Sequence, residues 1–502
     1  MKTLRVIALL LAAVLLLPLF AACGESKENT DDPAKTGEPA TADGASHSAG
    51  DEIETEADDG KSHTELPADL NFGGASYRIQ NIECASYYDT IIALEQTGDK
   101  LNDAIYDRDA RLMTDMNFAF EEVVVPNDSA VNTIRQIVSS GDDAFEQYVS
   151  VDWRGYTLAQ EGIALPISAL PYVDVEREYW AQSIHKDMSI RGKLYYAFGD
   201  HNLSTYDSVN LLLFNKSIAA DLSLRDHYEA ILEGAWTLDL MQANMMLATN
   251  DANGDGQWTD ADTYGITSAS KQVLPCFWIA AGLRCIDKDE EDVPYFALTG
   301  SEKFEDLYQR ILSMMHNDHL LFMSDSLPDY ANNTVFIGGT ILYNIVRTAF
   351  LHFYRDMDID YGIIPYPKYD ETQETYYSRT EGAYIHIYPI TLTQYELAGA
   401  VTEAMACESR NMVIPVYYDE VLKSKYTRDR NSTAMLDLIY GNRFYDLGDT
   451  LFCSVIRDGV FAGKFKENDK NLQSTIKMVS KMAEKTIKNY VKAFDKLEES
   501  AG

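Results

Sequence analysis

The stretch Asp251–Asp262 (DANGDGQWTDAD) is the sharpest local arrangement of possible metal ligands in the chain. Oxygen-bearing side chains stand at its first, third, fifth and twelfth places with glycine at the sixth, the pattern of an EF-hand calcium loop. Calcium takes six to eight oxygens, and the glycine permits the tight turn that converges them. Asp251, Asn253, Asp255 and Asp262 would bind through side chains, Gln257 through its carbonyl, and Thr259 directly or through water. Asp262 replaces the standard glutamate, and its shorter arm reaches with one oxygen instead of two. An acidic surface turn is the alternative, since Asp, Asn and Gly are turn formers in any case. Any ion here is structural, because no open coordination position is left for chemistry.

Aromatic residues beside acids form a second constellation. The chain has 32 tyrosines and five tryptophans, many in polar company: Tyr87 near Asp89, Asp152 followed by Trp153 and Tyr156, and Tyr206 beside Asp207. Sugars present apolar C–H faces edged by hydroxyls, so aromatic rings with nearby carboxylates, amides and arginines suit an oligosaccharide cleft. For each ring taken singly, core packing is the alternative. Enzyme signatures are missing from the sequence: there is no Gly-x-Ser-x-Gly elbow, phosphate loop, His-Glu-x-x-His helix or Cys-x-x-Cys pair. His316 and His319 sit three apart but lack a third ligand in sequence, which favours a helix surface. Acids are too abundant to single out a glycosidase-type pair.

The elements that position these residues begin with an export signal. Lys2 and Arg5 precede an apolar run, Val6–Phe20, that ends in Ala21, Ala22 and Cys23. That order describes a bacterial lipoprotein signal, which leaves Cys23 as a lipid-modified N-terminus. Phe20 departs from the usual box, where leucine is commoner. The apolar run is short for a bilayer span. Residues 24–69, nearly free of large apolar side chains, read as a disordered acidic linker. Beyond it the composition is globular. A net charge of −37 excludes nucleic acid as a partner, because the chain repels a polyanion. With Cys23 lipidated, five cysteines remain, an odd number that argues against a disulfide scaffold. Cys276 and Cys285 could pair, but buried small hydrophobes fit them better.

Period-two stretches at 75–82, 118–125 and 148–151 alternate with helical ones at 100–116 and 131–138, which predicts a mainly parallel sheet covered by helices. Further strands are expected at 194–198, 209–214, 336–343, 361–366 and 384–390. Thr237 is a plausible N-cap, and helices are expected at 391–407, 435–440 and 472–497. Ligands of such sheets sit beyond the carboxyl ends of the strands, which is where Asp152 and Trp153 fall.

The order of certain segments carries a resemblance. They are Ile190–Asp200 (IRGKLYYAFGD), Leu213–Lys216 (LFNK), Glu233–Asp239 (EGAWTLD), Asp262–Gly265 (DTYG), Phe336–Gly339 (FIGG), Asp360–Pro365 (DYGIIP) and Tyr445–Gly448 (YDLG). With the lipoprotein start, the chain resembles the extracellular solute-binding proteins of bacterial ABC importers, in their carbohydrate branch, over essentially its whole length. The resemblance implies an α/β, two-lobed, periplasmic-binding-protein-like (type II) fold with a hinge and an interlobe cleft. Lobe 1 would comprise residues 70–205 and 378–425, and lobe 2 residues 206–377 and 426–498. It implies a monomer without enzymatic activity, anchored to the outer face of the cell membrane, that captures a sugar and docks on a permease. The cleft residues implied are Tyr87, Asp89, Asp152, Trp153 and Tyr156 from the first lobe, Trp278 and Arg347 from the second, and Tyr206 and Tyr384 near the crossings. Trp153 or Trp278 would stack on a ring, while Asp89, Asp152 and Arg347 would bind hydroxyls. The rival readings are a surface glycoside hydrolase or esterase, a sensor or adhesion module, and a receptor for a peptide or polyamine.

Overall fold

The alternating stretch at residue 75 becomes an inner strand of a sheet. In the computed structural model of the chain, which describes residues 60–83, 90–326 and 334–501, the strands run in chain order as follows. They are β1 (Ala75–Glu83), β2 (Phe118–Pro126), β3 (Gln147–Val151), β4 (Asn210–Asn215), β5 (Tyr264–Ser268), β6 (Ile286–Lys288) and β7 (Pro294–Phe296). There follow β8 (Leu321–Met323), β9 (Ile341–Arg347), β10 (Tyr361–Ile364), β11 (Ser378–Arg379), β12 (Tyr384–Ile387) and β13 (Arg443–Phe444).

The first sheet has the order β12-β3-β1-β2. β1 lies parallel to β2 and β3, and β12 closes antiparallel on β3 with Tyr384 opposite Val151. Parallel neighbours need a crossover, supplied by helices Lys100–Met116 and Asn127–Ser139. Asp99 caps the first of these, its carboxylate accepting from the Leu101 and Asn102 N–H groups, two donors that the helix start would otherwise leave bare. The core on this sheet joins Tyr77, Phe118 and Phe120 to Leu397, Val401 and Met405 of helix Tyr395–Glu408.

The second sheet has the order β10-β4-β9-β5-β8. β4 runs antiparallel to both β9 and β10, while β5 is parallel to β8 and β9. Helix Ser270–Ala280 is buried through most of its length, and helices Leu238–Ala248 and Glu302–His316 contribute Met241, Met245, Phe304 and Tyr308 to the same core. Thr237 is the expected cap, accepting from the Leu240 N–H at 3.4 Å. The four described cysteines, Cys276, Cys285, Cys407 and Cys453, are buried and free. Cys84 lies outside the described residues.

Several expectations change in detail. Residues 194–198 make no regular strand; their main chain reaches β12 only through a bridge at Ala197 and His386. The 336–343 stretch is split: Thr334–Ile337 is helical, and the strand begins at Ile341. Gly339 causes the break, with φ 83° and with Ile359 Cδ1 only 2.3 Å from where a Cβ would stand. Residues 60–69, expected as linker, instead pack on the folded body. Ser62 exchanges main-chain hydrogen bonds with the Asn411 amide at 2.9 Å each way, and Leu66 joins the first core.

Candidate functional site

Three chain segments run side by side between the two sheets. Residues 202–210 lead into β4, 378–384 lead into β12, and 443–446 run alongside the second of these. Tyr384 N–H donates to Ser204 Oγ at 2.7 Å, and Asn202 Nδ2 donates to the Tyr384 carbonyl at 2.7 Å. Val209 bridges Thr380, and β11 pairs in parallel with β13.

At the centre of this bundle, Glu381 and Gly382 touch the ends of both sheets. Asp152 follows directly on β3. Its Oδ2 accepts from the Gly382 N–H at 2.8 Å and from the Tyr445 hydroxyl at 2.5 Å, and its Oδ1 accepts from the Trp153 N–H at 2.5 Å. Gly382 adopts φ 82°, a left-handed turn that favours glycine. On the other side, Glu381 forms an ion pair with Arg347, the last residue of β9. Glu381 also meets Arg379 at 3.7 Å and Arg457 at 3.3 Å.

The electrostatics follow from burial. Burial alone would raise the Glu381 carboxyl, but Arg347, then Arg379 and Arg457, reverse this and hold it well below the usual carboxylate range. Arg379, fully buried, grips Asp449 with Nε at 2.6 Å and a terminal nitrogen at 2.9 Å. This fork satisfies both oxygens of a buried acid, the geometry that makes such a pair tolerable. Asp152 behaves differently: burial pushes it up to about 7, against the hydrogen bond from Tyr445.

Beside Arg347 lies a small hollow of about 20 Å³, lined among others by Asn210, Ser268, Gln272, Ser324 and Tyr354. Ser268 and Ser324 mark the carboxyl ends of the parallel strands β5 and β8. Hydroxyl, amide and guanidinium groups there can hydrogen-bond a polyol.

The expected site residues separate clearly. Trp153 is 47% exposed and carries the Arg154 guanidinium 4.4 Å from its ring centre; Trp180, Trp236 and Trp278 are buried. Arg347 keeps some exposure beside the hollow. Asp152, Tyr156, Tyr206, Trp278 and Tyr384, expected in a cleft, are instead buried. Asp152 spends both oxygens on the chain itself, so it positions the crossing instead of facing a ligand. Tyr156 packs against Tyr196 and near Tyr445. Tyr206 donates to Asp200 at 2.9 Å under the Arg443 guanidinium. Trp278 is a core residue of its helix, donating to Asp446 at 2.9 Å. Tyr384 is 1% exposed within β12. Tyr87 and Asp89 lie outside the described residues, as does Cys23. Glu381, Arg379, Gln272 and Asp449 were not anticipated; the one sequence signal was two charges, Arg379 and Glu381, just before an apolar strand.

The Asp251–Asp262 loop closes on its own backbone. Asp251 accepts from the Gly254 and Gly256 N–H groups, Asp255 from Gln257, and Asp262 from Ala252 and Thr259, at 2.7–3.0 Å. Among the described residues no group of three or more His, Cys, Asp or Glu side chains gathers as a metal site. His316 Nε2 donates to the Phe465 carbonyl at 2.8 Å, and His319 stacks on Trp258, so the two serve packing.

No protein-family model matches the chain, and no curated protein does. Solved structures do match in fold. An extracellular solute-binding protein from Staphylococcus aureus in complex with maltose superposes with a TM-score of 0.56 at 11% identity, covering 82% of this chain and 98% of that one. The cyclic α-maltosyl-1,6-maltose binding protein from Arthrobacter globiformis gives 0.56 at 12% identity, covering 83% and 100%. The galacto-N-biose/lacto-N-biose I-binding protein of an ABC transporter from Bifidobacterium longum, in complex with lacto-N-biose, gives 0.55 at 12%, covering 83% and 98%. The fold is therefore the two-lobed α/β fold of type II periplasmic binding proteins.

Proposed function

We propose that this chain captures a sugar or oligosaccharide outside the cytoplasm, tethered to the membrane by a lipid on Cys23, and passes it unaltered to an ABC permease. The observation that carries the reading is the meeting of two sheet ends at Glu381–Gly382, with an exposed Trp153 on one side and Arg347 on the other. The fold supports it, because each of the three structures described above is of a sugar-binding protein. In this reading the lobes are 70–205 with 378–425, and 206–377 with 426–498, and the protein works as a monomer.

Trp153 offers a flat apolar face to the C–H surface of a pyranose, and Arg347 with its polar neighbours offers donors and acceptors to hydroxyls. Small-molecule pockets measure roughly 300–1,000 Å³, far more than the hollow beside Arg347, so the solute enters as the halves part. Closure by a hinge at the three crossing segments then removes water from these polar pairs, which strengthens them. No group in the arrangement is poised for turnover: the buried acids are engaged by guanidinium groups, hydroxyls or backbone N–H groups.

A structural calcium ion in the Asp251–Asp262 loop belongs to the same proposal. Asp251, Asp255 and Asp262 accept main-chain N–H groups yet keep further lone pairs for a cation.

Thermal shift with a panel of glycans tests the main reading. Several members should raise the melting temperature, with each glycan recovered intact. A response only to peptides or polyamines, or steady product release, overturns it.

A further inference from the structure

The C-terminal helix Leu472–Ala501 carries a charge pattern that solute capture does not use. Lys477, Lys481, Lys485, Lys488, Lys492 and Lys496 are all exposed. Their spacing of four, four, three, four and four residues places them on one arc of about 100° at 100° per residue. That arc lies opposite the face that buries Ile476, Val479, Ala483, Ile487, Tyr490 and Phe494. The stripe therefore points straight to solvent, over a length of about 28 Å.

Like charges three or four apart destabilise a helix, and between Lys477 and Lys496 the helix carries only two acids, Glu484 and Asp495, the second paired with Arg191. Among the described residues, none of these six lysines forms an ion pair with a carboxylate. Such a run is conspicuous in a chain of net charge −37. Screening over roughly 8 Å at physiological salt lets a local cationic surface act independently of distant acids.

Apolar surface borders the stripe on both sides. Met478 and Met482 are each 40% exposed along one edge. Along the other, the β6–β7 hairpin and the helix frame a hollow lined by Val293, Tyr295 and Val491 together with Lys488, Lys492 and the acids Glu484 and Asp495, and Tyr295 is 46% exposed. Lysines flanked by methionine and tyrosine match the interface of a bilayer, where cations meet phosphates and amphipathic side chains enter the headgroup layer.

We propose that the lysine face of helix Leu472–Ala501 docks on the anionic headgroups of a lipid bilayer and lays the folded body against the membrane. This contact does not depend on which solute is captured, and it is separate from the acyl tether.

The test uses the chain from Gly24 onward, which carries no lipid, in sedimentation with vesicles. Vesicles of phosphatidylcholine with about one-third phosphatidylglycerol should pellet the protein and pure phosphatidylcholine should not, with binding lost between about 0.05 and 0.5 M salt. The triple variant Lys481→Gln, Lys485→Gln, Lys492→Gln should bind on the order of a hundredfold more weakly, at roughly fivefold per lysine. Its melting temperature should not fall, since the three side chains are exposed. Equal binding to both vesicle types, no binding to either, or an unaffected triple variant overturns the proposal. Binding to soluble poly(glycerol phosphate) without binding to vesicles also overturns it, by assigning the stripe to a wall polymer.

Discussion

Asp152 and Gly382 are 230 residues apart in sequence and joined by a hydrogen bond of 2.8 Å from the Gly382 N–H to the Asp152 carboxylate. That bond ties the end of β3 to the segment whose preceding residue, Glu381, pairs with Arg347 at the end of β9. Asp152→Ala should leave the Tyr445 hydroxyl and two main-chain N–H groups unsatisfied in a buried place and cost about 3 kcal/mol of folding stability, read by chemical denaturation. Asp152→Asn, which keeps an acceptor, should cost less. A loss of sugar affinity with full stability would instead mark Asp152 as a ligand contact.

Trp153 should behave in the opposite way. It is the exposed ring at a strand end, so Trp153→Ala should leave the melting temperature nearly unchanged while weakening sugar binding about tenfold. Titration calorimetry with the best ligand of the panel measures this.

Glu381→Gln removes the negative charge shared by Arg347, Arg379 and Arg457. Breaking a buried ion pair from one side leaves uncompensated charge and costs about 3–5 kcal/mol. Urea denaturation should show that loss, and replacing Glu381 by aspartate should recover part of it.

Acid sensitivity should come from buried histidines. Burial pushes His386 down to about 3 and His185 down to about 4 from an ordinary 6.5. His201, 3.2 Å from His386 and subject to its charge, is depressed too, burial being the larger cause. The unfolded chain therefore takes up protons that the folded one refuses, and stability falls as pH drops from about 6.5 towards 3. Asp152 acts with the opposite sign, its contribution being lost as pH rises through about 7. The difference between wild type and His386→Gln isolates one histidine: the variant should lose up to about 1.4 kcal/mol less per pH unit across that window.

Calcium should raise the melting temperature of chelator-treated protein, and Asp255→Ala should remove the response. An unchanged melting curve would mean that the loop is held by its internal hydrogen bonds alone.

Much of the architecture was legible because it is local. The period-two pattern at 75–82 and the Thr237 cap depend on neighbours a few residues away, and each formed as expected. The stretch at 194–198 misled because apolar alternation cannot tell a strand from a buried connection. Trp153 stands out as the exposed ring one residue past Asp152, which directly follows β3. Asp152, Tyr156 and Trp278 looked like ligand contacts because the groups that bury or engage them, Tyr445, Tyr196 and Asp446, lie far along the chain. The same distance hid the Glu381, Arg379, Asp449 and Arg457 network, whose members have no shared spacing.

Small-angle X-ray scattering with and without a saturating sugar tests the clamp most directly. The account predicts a smaller radius of gyration once the sugar is bound, as the two lobes close about the crossings at 202–210, 378–384 and 443–446. A tightly bound sugar with an unchanged radius would contradict it.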